Sequence, residues 1–199
     1  MTRVRYSQPM RRSLLSLLAV AAITVAGASA ATLPGTKTKA DRTAWRSLLH
    51  WPASCESDWR MPGVSTSLGG SGIDTYAANG GTLAIVNCYY GAYQGTFMLY
   101  LIDSAGKPTG PIALHIYEDP GNGKPKAVRQ TMPLGDFVFS KGMLTIFDKA
   151  AGYGGCGVYS TFRLTGSTFV PVSARAKETC DAKPPHDPAK WPKLPTPSA

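Results

Sequence analysis

Between Gly72 and Glu178 the chain alternates short apolar runs with turn-forming residues, the pattern of consecutive β-strands. The periodicity predicts strands over 74–78, 82–90, 95–103, 111–118, 136–140, 143–148, 157–165 and 168–177. Asn79-Gly80-Gly81, Ser104-Ala105-Gly106, Ser140-Lys141-Gly142 and Gly166-Ser167 lie between them and tolerate the positive φ of tight hairpins. The run TFMLYLID is apolar on both faces: Phe97, Leu99 and Leu101 on one, Met98, Tyr100 and Ile102 on the other. Such a strand must be covered on both sides. The expected class is therefore all-β, with antiparallel meanders forming a sandwich or a barrel-like domain.

Helical spacing occurs at one place. Asp41 can cap RTAWRSLLH, in which Ala44, Trp45, Leu48 and Leu49 share a face, and Pro52 stops the helix. Residues 31–40 read as a flexible leader. Residues 181–199 hold six prolines, so this tail is expected to be extended and to form neither helix nor inner strand. Residues 41–180 are then a single β-rich domain. An internal echo runs through it: Gly81, Leu83, Ile85 and Gly91 recur as Gly142, Leu144, Ile146 and Gly152, a constant offset of 61. A true repeat would make two similar meanders facing one another.

The first thirty residues read as an export signal. Arg3, Arg5, Arg11 and Arg12 form a positive start, Leu14 to Ala28 is apolar, and Ala28-Ser29-Ala30 offers small residues for cleavage before Ala31. The apolar run is short for a bilayer span, so no integral membrane segment is expected after cleavage. The location is periplasmic or secreted. Removing four signal arginines from 21 basic residues leaves 17 against 12 acidic, a net charge of +5. This excess suits solubility and weak attraction to anionic polymers. It is too diffuse for nucleic acid; the nearest cluster, Lys124, Lys126 and Arg129 in GNGKPKAVRQ, reads as a solvated turn.

Four cysteines, Cys55, Cys88, Cys156 and Cys180, remain in an exported chain, and three connectivities can be drawn. None has C-x-x-C spacing, which argues against a zinc knuckle or a redox site. Sequential pairing would close loops of 33 and 24 residues. Cys156 sits inside GYGGCG (152–157), which matches the dinucleotide fingerprint G-x-G-x-x-G. That fingerprint needs a strand before it and a helix after it. Here it runs into VYSTFRLTGSTFVPV, which alternates like a hairpin. The glycines are read as letting the chain turn and a second segment approach, and no cofactor is expected.

WPASCESDW (51–59), NCYYGAYQ (87–94), GYGGCGVYSTFRLTGSTFVPVSARAKETC (152–180) and WPKL (191–194) together resemble the bacterial secreted family called domain of unknown function 1176. The resemblance covers nearly the whole mature chain. It implies an exported β-rich protein with two bridges; it implies no activity and no catalytic residues. The expected bridges are Cys55–Cys88 and Cys156–Cys180, because each ties an irregular segment to a β element.

The chemistry-bearing residues are sparse. His50 ends the helix, His186 lies in the tail, and His115 shares a strand face with Ala113 and Tyr117. No G-x-S-x-G elbow accompanies His115, and Ser71 in GGSG belongs to a turn. Glu118-Asp119 beside a lone histidine is thin for a metal, so no metal site is expected. Paired carboxylates for glycan cleavage are the stronger enzymatic alternative, drawn from Asp58, Asp74, Asp103, Glu118, Asp136 and Asp148, although turn chemistry explains most of them. The favoured reading is a non-catalytic envelope module binding a protein or a glycan. Its contact residues would be Tyr89, Tyr90 and Tyr93 of CYYGAY, of which Tyr90 and Tyr93 are expected to face outward. A module should expose aromatic surface without a cleft; an enzyme should show a cleft with convergent carboxylates or His115.

Overall fold

A computed structural model describes residues 32–60, 70–118, 124–183 and 186–197. Among the described residues two helices, α1 (Lys39–Leu49) and α2 (Ala53–Trp59), precede the strands. These are β1 (Ile73–Ala78), β2 (Gly81–Tyr90), β3 (Gly95–Ile102), β4 (Pro108–Thr109), β5 (Leu114–Glu118), β6 (Lys126–Gln130), β7 (Asp136–Ser140), β8 (Met143–Lys149), β9 (Gly157–Thr165), β10 (Thr168–Lys177) and β11 (Lys193–Leu194). They form three antiparallel sheets, ordered β1-β2-β3-β4, β11-β10-β9-β8-β7 and β5-β6. The fold is all-β and sandwich-like, and its sheets do not close into a barrel. Each sheet keeps its own ladder, and one bridge, Thr96 to Leu134, joins the first sheet to the residues before β7.

The sandwich follows from side-chain alternation. Leu83, Ile85, Phe97 and Leu99 of the first sheet meet Leu144, Ile146 and Phe162 of the second in one buried cluster, which Leu114 and Ile116 of β5 complete. Ring pairs cross between β1 and β7 (Tyr76–Phe139, 5.3 Å) and between β3 and β7 (Phe97–Phe137, 4.7 Å). Each fully buried large apolar side chain contributes about 1.5–3 kcal/mol. The echo at offset 61 places Leu83 and Ile85 on β2 and Leu144 and Ile146 on β8, each the central strand of a three-stranded meander. Both meanders begin with a two-residue turn whose residues have positive φ: Asn79 and Gly80 (47° and 76°), then Lys141 and Gly142 (50° and 75°). That backbone matches the twist of antiparallel strands.

The opposite face of the first sheet explains the doubly apolar run. Ala84, Val86, Met98, Tyr100 and Ile102 pack against Trp45, Leu49, Trp51 and Cys55 of the helical layer. Burial pushes the Tyr100 phenol up to about 12. Helix α1 begins three residues before the expected start. Thr38 is its N-cap, and Asp41 occupies the third position of a capping box. Hydrogen bonds from Thr38 hold the Asp41 carboxyl below its usual range. Its buried stripe is Arg42, Trp45 and Leu49, whereas Ala44 is exposed. Arg42 donates to Glu56 at 3.0 Å and to the carbonyls of Ser71 (3.0 Å) and Asn87 (3.2 Å), with its guanidinium 4.2 Å from the Trp59 ring.

Several expectations are corrected. The segment after Pro52, the irregular segment expected around Cys55, is helix α2. Half of GNGKPKAVRQ is strand β6, paired along its length with β5, because Val128 packs against the core. The strand expected from 111 begins at Leu114. The tail makes a 3₁₀ turn at Pro188–Lys190 and then edge strand β11. Trp191 is buried there against Phe147, 5.5 Å between ring centres. Cys55 is bonded to Cys88, and Cys156 to Cys180. The proposed signal, residues 1–30, lies outside the described residues.

Candidate binding surface

The tyrosine segment closes the hairpin between β2 and β3. A register shift between Asn87 and Tyr89 marks a bulge in β2. Cys88 is fully buried at its bond to Cys55, and Tyr89 is half-buried. Tyr90 and Tyr93 are each 38% exposed. Gly91 ends the strand, its N–H donating to the Gln94 carbonyl at 2.7 Å.

Gln94 bolts this hairpin to the second sheet. Its Nε2 donates to Asp148 Oδ1 (3.0 Å) and to the Lys149 carbonyl (3.2 Å), while its Oε1 accepts the Lys149 N–H at 2.7 Å. The Lys149 ammonium donates to the Tyr93 carbonyl at 3.3 Å and forms an ion pair with Asp136. The hairpin is thus held by a disulfide at one end and a buried amide at the other. Gln94→Ala leaves the Lys149 backbone groups without that partner. It should cost about 1–3 kcal/mol, read from the urea midpoint.

Two hollows flank this hairpin. The first, about 770 Å³, lies between the edges of the two sheets and is lined by Lys37, Asp74, Asn87, Tyr90, Asp136 and Phe137, among others. Asn87 Nδ2 donates to Asp74 Oδ2 at 3.0 Å. The second, about 620 Å³, lies on the outer face of β7, β8 and β9. Alternation along these strands brings Asp136, Val138, Thr145, Phe147 and Tyr159 to its floor, with Tyr153 and His186 as walls. Asp136 borders both hollows. The tyrosines and two of the candidate carboxylates therefore share one region. The surface carries exposed aromatic rings and also an open cleft, so neither sequence criterion is met alone.

The remaining candidates lie apart. His115 is half-buried on β5 opposite Arg129, and Glu118 lies opposite Lys126. Asp103 accepts the backbone N–H groups of Ala105 and Lys107, both at 2.9 Å, in a turn. Asp58 lies on α2, and His50 caps α1 in the left-handed region. Ser71 is buried and donates to the Thr36 carbonyl at 2.7 Å. In GYGGCG, a side chain at Gly155 would collide with the Asp181 carbonyl, so glycine is required where the C-terminal segment crosses. Among the described residues no group of three or more His, Cys, Asp or Glu is arranged to hold a metal ion.

The family described as "Protein of unknown function (DUF1176)" matches residues 25–196. The chain belongs to this family. No curated protein and no solved structure matches it. The DUF1176 match includes both disulfides, the tyrosine hairpin and both hollows. Sequence reasoning missed three residues of this DUF1176 surface. Gln94 was visible as a lone amide in a turn, and Tyr153 as an aromatic among glycines. Val138, 66% exposed, gave no signal, since exposure of a strand residue depends on which sheet face is left uncovered.

Proposed function

We propose that the protein is an exported, non-catalytic binding module of the cell envelope, acting after residues 1–30 are removed, with Tyr90 and Tyr93 as contact residues. The carrying observation is two exposed tyrosines on a hairpin held by Cys55–Cys88 and by Gln94. Tyrosine gives large contact area with a hydrogen-bonding tip, and a hairpin already ordered loses little freedom on binding. Two disulfides fit an extracellular or periplasmic protein. No helix among the described residues is long and apolar enough to cross a membrane.

The test uses protein recovered from an exporting host, with envelope extract and purified peptidoglycan as separate baits. Tyr90→Ala with Tyr93→Ala should abolish capture while the melting temperature stays within about a degree or two of wild type, as expected for exposed positions. Normal capture, or unfolding of the variant, defeats the reading.

A second reading has one observation in its favour: Asp74 and Asp136 line the same cleft, as a glycan hydrolase would require. Each already has a partner, Asn87 and Lys149 respectively. Release of reducing ends from peptidoglycan, lost in Asp136→Asn, would put the hydrolase in place of the module.

A further inference from the structure

Tyr90 lines the cleft between the sheet edges, and Tyr153 walls the groove on the outer face of the second sheet. Tyr93 lies between them, its ring packed so closely on Gly152 that a Cβ there would sit 3.2 Å from Cδ1. Asp136 belongs to both hollows. Three exposed rings, at 38%, 38% and 53%, therefore follow one path around the β7 edge. We propose that cleft and groove form one trough, and that this trough holds a strand of a neutral polysaccharide. The inference rests on the reading of Tyr90 and Tyr93 as contact residues, and names their ligand.

The chemistry of the lining selects the ligand. Its charged side chains are Lys37, Asp74, Asp136 and Lys149, two of each sign, with Asp136 and Lys149 already paired. A charged polymer would find no net field to bind, and an ion of either sign would have to break that pair. A pyranose presents an apolar C–H face and a rim of hydroxyls. Exposed tyrosine rings match the face. The Asp136–Lys149 pair sets acceptor and donor side by side, which matches neighbouring hydroxyls, each of which both donates and accepts. The His186 wall adds an Nε2 that is buried without a partner among the described residues. Phe147 of the floor is braced edge-on by Tyr159 (6.2 Å) and Trp191 (5.5 Å), so the platform is rigid before a ligand arrives. An extended peptide would instead need pockets for alternate side chains along a paired edge; these hollows are broad and open.

Calorimetry of the mature protein with neutral gluco- and N-acetylglucosamine oligomers tests this, with polygalacturonate and an alternating valine–serine peptide as the other arms. Affinity should rise from disaccharide to hexasaccharide, because only longer chains reach all three rings. It should be insensitive to salt. Tyr153→Ala should weaken the hexasaccharide about tenfold, the loss of one aromatic contact. Val138→Arg, at an exposed position on the groove floor, should do the same by obstruction, and it keeps the test decisive should Tyr153→Ala unfold. Absence of neutral oligosaccharide binding overturns the trough, as does binding that ignores both substitutions. Salt-sensitive binding of polygalacturonate alone, or binding of the peptide alone, also overturns it. If capture from the envelope still requires Tyr90 and Tyr93 while no oligosaccharide binds, the ligand class fails and the module reading stands. If capture ignores those tyrosines, the module reading itself fails.

Discussion

Glu56→Ala should destabilise the fold by about 3–5 kcal/mol, the range for breaking a buried ion pair from one side. Arg42 and Glu56 lie between the helical layer and the first sheet, with side chains only 4% and 12% exposed. Glu56 Oε2 accepts from Arg42 Nε at 3.0 Å and from Trp51 Nε1 at 3.3 Å. Removing the carboxylate strands a guanidinium among two carbonyls and the rings of Trp51 and Trp59. Its Nη2 already lacks a hydrogen-bond partner among the described residues. Burial pulls the pKa of Arg42 below its ordinary value, and Glu56 opposes that pull. Arginine nevertheless stays charged through the accessible pH range, so the stranded charge is not relieved by deprotonation. Urea unfolding of the single variant and of Arg42→Met with Glu56→Leu decides the matter. The double variant should recover much of the loss, because an apolar pair leaves no unpaired charge. A single variant within about 1 kcal/mol of wild type would show that the pair is solvated rather than structural.

Removal of the Cys55–Cys88 bridge by paired alanine substitution should cost about 2–5 kcal/mol. The bridge spans 33 residues and ties α2 to β2. On the chain-entropy account a loop of that length contributes about 3–4 kcal/mol by restricting the unfolded chain. Loss of the bridge should also loosen the tyrosine hairpin, so capture by the envelope bait should weaken well below the unfolding temperature. The second bridge, spanning 24 residues, should behave differently. Cys55 and Cys88 are both fully buried, whereas Cys180 is exposed. A thiolate must reach a sulfur to attack it, so mild reductant should open Cys156–Cys180 first. Peptide mapping after partial reduction and alkylation reads the order directly. Labelling of Cys55 and Cys88 before Cys156 and Cys180 would contradict it.

Strand positions and hairpin turns were legible along the chain because they depend on neighbours in sequence. Leu83, Ile85, Leu144 and Ile146 fall at alternate positions of apolar runs and so share core faces, and Asn79-Gly80 and Lys141-Gly142 mark turns that need positive φ. The doubly apolar run at Phe97–Ile102 likewise announced a strand covered on both sides. What covers it was a tertiary matter: helix α2 is seven residues long, too short for periodicity to separate it from a loop. Arg42 shows the same limit. A charged residue reads as a solvent-facing position, and only its buried partner Glu56, 14 residues away, allows it to point inward while Ala44 points out. The β6 pairing required Val128 to find the core. The candidate surface divides in the same way. Exposed Tyr90 and Tyr93 followed from strand alternation and a breaking glycine. The meeting of Asp74 with Asp136, and of Tyr93 with Gly152, joins residues some sixty positions apart. Only the packing of one sheet edge against the other brings them together, because such proximity is set by the shared core and not by any local pattern.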